Sequence, residues 1–193
     1  RLQKLNIKTI LTDHHQSDPR NNETYPPTNA KVHTTKLCGT TVAWMLAHEL
    51  YSKKSKSMLD LCAIATIADQ VPLFNANRSF AKHGIVALRE SKRVGLNFLI
   101  EYAGLEKQKI DTYAINYGIA PRINAMGRIG DPKDALRLLC STKEAKVRSF
   151  AQSVQSTNTD RQSLTTMMIE EAMLQKDMWI DEHIILVHSD NFH

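Results

Sequence analysis

The sequence predicts an α/β fold that becomes helix-rich in its second half, and three observations predict it. Two short apolar runs, Ile7-Lys8-Thr9-Ile10-Leu11 and Ile184-Ile185-Leu186-Val187, read as strands. Helical spacing of apolar residues recurs from Leu37 onward. Leu2 and Leu5 are spaced like a last helical turn, with Asn6 as its stop, which gives the α-then-β order of an open sheet. In such sheets ligands bind beyond the carboxyl ends of strands, and directly after the first run stands Thr12-Asp13-His14-His15.

Composition sets the bounds. The chain has 193 residues, enough for one domain, or one domain and part of another, and 42% are hydrophobic, enough for a core. Its net charge of +5 is compatible with a nucleic-acid partner but does not select one. Cys38, Cys62 and Cys140 are far apart and form no Cys-x-x-Cys pair, which argues against a zinc knuckle or redox dithiol and for reduced thiols in a cytoplasmic protein. No window has the apolar length of a membrane span, and no signal peptide is visible. Opening on Arg1 within a helical turn, the chain reads as a fragment.

Asp13-His14-His15 offers an anionic oxygen and two imidazoles, a donor set suited to a divalent metal bound to phosphate. Taken alone, the tripeptide is better explained by a surface turn in which Asp13 caps the backbone and both histidines are solvated. Residues 16–36 are polar and rich in Pro and Asn, and read as a long irregular loop. From Leu37 to Lys54, Val42, Met45, Leu46 and Leu50 recur at helical spacing. Gly39, Thr40 and Thr41 at its start either present N–H groups to a phosphate or allow close packing, the second being the simpler reading. His48-Glu49 lacks the second histidine of a zinc-protease helix, since Ser52 stands there.

Met58 to Ala68 is apolar nearly all round, as a buried helix is. Asp69 therefore sits at the edge of a core, where a carboxylate needs a partner, either a metal or a backbone donor near Pro72. Asn77–Glu90 and Val94–Gly104 read as two further helices, with Asn77 a candidate cap and Arg78 in the first turn. Lys92, Arg93, Lys107 and Lys109 read as a solvated face. Pro121 is expected to open a helix presenting Arg122 and Asn124, and Gly127 to bend the chain so that Arg128 returns to the same side. Two guanidiniums and an amide so placed either clamp a phosphate or bridge helices through carboxylates. Pro132–Leu139 is a short helix. Ser141-Thr142-Lys143-Glu144 reads as a capping box opening a long helix to about Met178, with a bend expected at Asn158–Arg161.

Taken together, Asp13-His14-His15 after a strand, Thr66-Ile67-Ala68-Asp69 with Val71-Pro72-Leu73, Asn77-Arg78, and Pro121-Arg122-Ile123-Asn124-Ala125 with Gly127-Arg128 resemble the RecJ family. These are bacterial single-strand-specific 5′→3′ DNA exonucleases of the DHH phosphoesterase superfamily. The order and spacing match over nearly the whole chain, although Cys38-Gly39-Thr40-Thr41 is less glycine-rich than the family's usual segment. The resemblance implies a partial parallel-sheet DHH domain over residues 1–140, a connecting helix over 141–180 and the first strand of a DHH-associated domain over 181–193.

The resemblance also implies a two-metal centre loaded with Mn2+ or Mg2+. In it His14 and Asp69 are ligands, Asp13 is a ligand or holds an imidazole, and His15 touches the scissile phosphate. Arg122, Asn124 and Arg128 grip the phosphate and terminal nucleotide, with Arg78 near the site. The family's Asp-x-Asp motif and a further aspartate lie upstream of this sequence, so the chain alone is expected to be inactive. Single-stranded DNA is the implied substrate, with a single-strand-binding protein and a helicase as candidate partners in the cytoplasm. Alternatives are a nanoRNase or cyclic-dinucleotide phosphodiesterase of the same superfamily, or a non-catalytic DNA-binding replication factor of the same fold.

Overall fold

Two strands pair in parallel at the head of the chain: β1 (Ile10–Asp13) and β2 (Ala30–His33), with Ile10 opposite Ala30 and Asp13 opposite His33. The computed structural model describes residues 2–16, 27–175, 186–190 and 192. The first strand begins three residues and ends two residues later than the apolar run suggests, so Asp13 is its last residue rather than lying beyond it. A 3₁₀ turn, Gln3–Leu5, stops at Asn6, whose φ of 54° is left-handed, as expected of a helix-ending Asn. Part of the expected irregular loop is β2, and residues 17–26 of that loop lie outside the described residues. The strand at residues 184–187 also falls partly outside them: Leu186 and Val187 are described and are in no regular element.

The helices follow as α1 (Gly39–Leu50), α2 (Ser52–Ser55), α3 (Leu59–Ala68), α4 (Asn75–Glu90), α5 (Val94–Tyr102), α6 (Ala120–Arg128), α7 (Pro132–Cys140) and α8 (Glu144–Leu174). They divide between two compact units, Arg1–Arg93 with Ile100–Ala120, and Val94–Leu99 with Pro121–His193. Among the described residues, no helix is long and apolar enough to cross a membrane.

In the first unit, α3 is the buried helix its composition predicts, with Cys62, Ala63, Ile64, Thr66 and Ile67 all inside. Burial pushes the Cys62 thiol up to about 12, which keeps it protonated and inert, while Cys140 is exposed. Helix α4 packs directly on α3 because Gly84 has no side chain: a Cβ there would overlap the Leu59 carbonyl and the Ala63 methyl. Gly84→Ala is accordingly expected to lower stability by about 1–3 kcal/mol, the usual cost of overpacking, read as an earlier urea midpoint at unchanged slope. A wild-type midpoint would mean that the two helices can part without loss.

Helix α4 begins at Asn75, and Asn77 does not cap it. The Asn77 amide is buried and donates to the carbonyls of Lys36 (2.9 Å) and Pro72 (3.0 Å), tying the turn before α1 to the turn before α4. The cationic residues expected on a solvated face are partly structural. Arg93 pairs with the buried Asp60 at 3.3 Å, and Lys107 donates to the Ser91 carbonyl at 2.5 Å. His48 is also structural, stacked on Trp44 and bonded to Ser55 at 2.8 Å.

Pro121 does not open a helix. A π-helical stretch, Ala114–Ile119, leads straight into α6. Proline inside an α-helix loses one N–H and crowds the carbonyl four residues back. The wider π turn, in which the Ala120 N–H reaches the Ile115 carbonyl five residues back, accommodates it. Gly127 lies within α6 at an ordinary helical φ, so the expected glycine bend is absent.

In the second unit, Gly95 permits α5 to touch the Leu138 carbonyl of α7. Asp131 caps α7 through a 2.9 Å bond from the Lys133 N–H. The Ser141–Glu144 capping box does not form: Lys143 is the N-cap, and no side chain closes the end. Helix α8 buries Val147, Ala151, Val154 and Asn158, one stripe at helical spacing. It runs unbroken through Asn158–Arg161, because Asn158 turns inward and accepts from the Arg161 guanidinium at 3.4 Å instead of competing for the backbone.

Candidate functional site: the β1 end and the α3 C-terminus

Parallel pairing puts Asp13 and His33 side by side at the carboxyl ends of their strands. The Thr34 N–H continues the ladder to the Asp13 carbonyl at 3.3 Å. The His33 Nε2, which must carry a proton to meet a carbonyl, donates to the His15 backbone oxygen at 2.9 Å and holds the turn after β1. His15 in turn bonds through Nδ1 to Asp13 Oδ1 at 2.6 Å. The Asp13 carboxylate is thus engaged by an imidazole that is itself 79% exposed.

His14 meets a different carboxylate. Its Nδ1 lies 4.0 Å from Asp69 Oδ2, although the two residues are 55 positions apart. Asp69 is the C-cap of α3, so the apolar helix that fills the core also delivers a carboxylate to the site. Gly39, the first residue of α1, makes room for the His14 ring: a Cβ there would stand 3.2 Å from its Cδ2 and 3.4 Å from its Nε2. Close packing is therefore what Gly39 provides. The His14 and His15 ring centroids are 4.7 Å apart.

A separation of 4.0 Å is too long for a hydrogen bond. It fits two ligands of one cation, since donors each about 2.1 Å from a shared ion lie about 3–4.2 Å from one another. An imidazole with hard carboxylate oxygens suits Mn2+ or Mg2+. The set is incomplete: among the described residues, no group of three or more His, Cys, Asp or Glu side chains stands where it could hold one ion.

The other residues singled out by sequence are placed as follows. Arg78 is exposed in the first turns of α4, in the same unit as the two histidines. Arg122, Asn124 and Arg128 are on α6, in the second unit. Asn124 and Arg128 are exposed one turn apart on one face. Arg122 lies on another face and donates through Nε to Gln155 Oε1 at 2.8 Å, and burial lowers its pKa. His33 was not singled out by sequence. The signal that would have found it is the strand Ala30–His33, hidden by its setting between polar stretches.

No protein-family model matches the chain. It is 34% identical over 194 residues to the single-stranded-DNA-specific exonuclease RecJ of Bacillus subtilis, which covers 95% of this chain and 24% of that protein. It is 33% identical over 181 residues to the RecJ of Thermus thermophilus, covering 88% and 25%. The crystal structure of the Thermus thermophilus RecJ in complex with Mn2+ superposes with a TM-score of 0.78 at 32% identity, covering 91% of this chain and 28% of that one. Its complex with Mg2+ gives 0.69 at 30% identity, covering 88% and 27%. These relatives do not favour the nanoRNase, cyclic-dinucleotide or non-catalytic alternatives. The chain spans about a quarter of the length of these curated relatives, and over about nine-tenths of its own length it fits a segment of a RecJ exonuclease.

Proposed function

We propose that this chain supplies part of the two-metal centre of a RecJ-type, single-strand-specific 5′→3′ DNA exonuclease. The observation that carries the reading is the approach of His14 and Asp69 at the carboxyl end of a parallel strand pair. His14 and Asp69 are the ligands, and Asp13 either joins them or holds His15. Divalent cations, when bound there, provide a nucleophilic water at neutral pH and offset the charge on the phosphate.

The chain's own residues do the rest. Asp13 orients the His15 ring through Nδ1, and His15 is the residue assigned to a phosphate oxygen. Asn124 and Arg128 form a ready pair for a phosphate oxygen. Arg122 is positioned by Gln155, and Arg78 is assigned to the substrate beside the reacting end. Helix α8 serves as the link toward a DHH-associated domain. Single-stranded DNA is the substrate, in the cytoplasm, where a single-strand-binding protein and a helicase are the natural partners.

Electron paramagnetic resonance of free Mn2+ tests the reading on the chain itself. The 193-residue chain is expected to bind the ion weakly, with Asp69→Asn weakening it by a further factor of about ten or more. It is also expected to release no nucleotides from 5′-labelled single strands, because its donor set is incomplete. Equal Mn2+ affinity in wild type and Asp69→Asn would remove Asp69 from the centre, and digestion by the isolated chain would show that no further ligands are needed.

A further inference from the structure

We infer that the cavity between the β2–α1 turn and the α3–α4 turn is a subsite for one nucleobase of a single strand, next to the candidate metal centre. The inference rests on the nucleic-acid reading above and deepens it. The cavity measures about 550 Å3 and is walled mainly by Thr34, Leu37, Met45, Pro72, Phe74 and Asn77. That volume lies in the range of small-ligand sites, too small for a helix and ample for a nucleotide's base and sugar.

The walls are preformed. The buried Asn77 amide bonds both turns at once, through the Lys36 and Pro72 carbonyls. The α3–α4 turn is bracketed by two non-glycine residues in left-handed conformation, Gln70 (φ 53°) and Asn75 (φ 48°). Backbone of this kind costs about 1–3 kcal/mol per residue and concentrates at ligand clamps. Between these residues stands Phe74, 75% exposed at the rim, so its ring contributes little to the core.

Two of the cavity's walls are tied to the candidate centre through the backbone: the Thr34 N–H is bonded to the Asp13 carbonyl, and Pro72 follows Asp69 by three residues. Its described lining includes one cation, Lys36, and no carboxylate, which suits a polyanionic strand. Its few polar groups suit recognition by stacking, which accepts any base, rather than by reading base edges.

Fluorescence anisotropy on the 193-residue chain tests this with two probes, a 5′-phosphorylated oligothymidylate and an abasic sugar-phosphate strand of equal length. Phe74→Ala is expected to weaken the base-bearing strand about tenfold, as loss of a base–aromatic stack does, and to leave the abasic strand within about twofold. Phe74→Trp is expected to restore the difference. Equal loss on both strands, or no loss on either, would overturn the subsite and leave the exonuclease reading standing. A wild-type chain that binds neither strand would sink both. A dimer that Phe74→Ala dissociates, with no preference for bases, would assign the cavity to a second copy of the chain and overturn the inference.

Discussion

On the proposed function, replacing His14 with alanine is expected to lower manganese-dependent release of nucleotides from 5′-labelled single-stranded DNA about a thousandfold or more in a full-length RecJ-type exonuclease carrying this segment. The ring belongs to one of two donors 4.0 Å apart, and no third described residue can take its place. Metal-assisted hydrolysis rests on several kcal/mol of transition-state stabilisation, and about 4 kcal/mol is three orders of magnitude in rate. The imidazole is only partly buried and fills no core position, so the variant is expected to keep the circular dichroism and urea midpoint of the wild type. Gly39→Ala provides the graded counterpart. Its methyl would press the His14 ring from 3.2 Å and shift it by a few tenths of an ångström, so the loss should be smaller and fall on metal affinity first. A His14→Ala enzyme within tenfold of wild type at saturating Mn2+ would remove His14 from the centre.

The sequence made chemistry more legible than local geometry, for physical reasons that particular residues show. Asp69 stood out because a charge at the end of an apolar helix must have a purpose, and α3 is that helix. β2 was not legible, because Ala30-Lys31-Val32-His33 is too short and polar for a period-2 signal and forms by pairing with β1, a tertiary event. Pro121 misled because a proline usually marks a helix start, and nothing in Ala114–Ile119 announces the π turn that lets it sit inside. The Ser141–Glu144 pattern has the letters of a capping box, but the helix starts later than that motif requires. Likewise Arg93 looked solvated because its partner, Asp60, is 33 positions away.

That Asp60 carries the second large effect. It is 2% exposed, in the first turn of α3, and both of its carboxylate oxygens are engaged. Oδ1 takes the Leu61 N–H at 2.8 Å, and Oδ2 takes the Ser91 hydroxyl at 2.8 Å and the Arg93 Nε at 3.3 Å. Ser91 passes the constraint on, accepting from the Arg93 N–H through its hydroxyl and from Lys107 through its carbonyl. One carboxylate therefore ties α3 to the α4–α5 connection and to the segment beyond α5. Asp60→Ala is expected to destabilise the fold by about 3–5 kcal/mol, the cost of stranding buried partners of an ion pair, against a total stability of about 5–15 kcal/mol for an ordinary domain. Arg93→Ala should cost less, because that side chain is partly exposed and two neutral donors remain on the carboxylate. The double variant should cost clearly less than the sum, since each change removes part of the other's loss. Urea denaturation of the four proteins at constant slope measures the cycle. Additive losses, or an Asp60→Ala midpoint matching wild type, would mean that the buried carboxylate is held for a reason other than joining these segments.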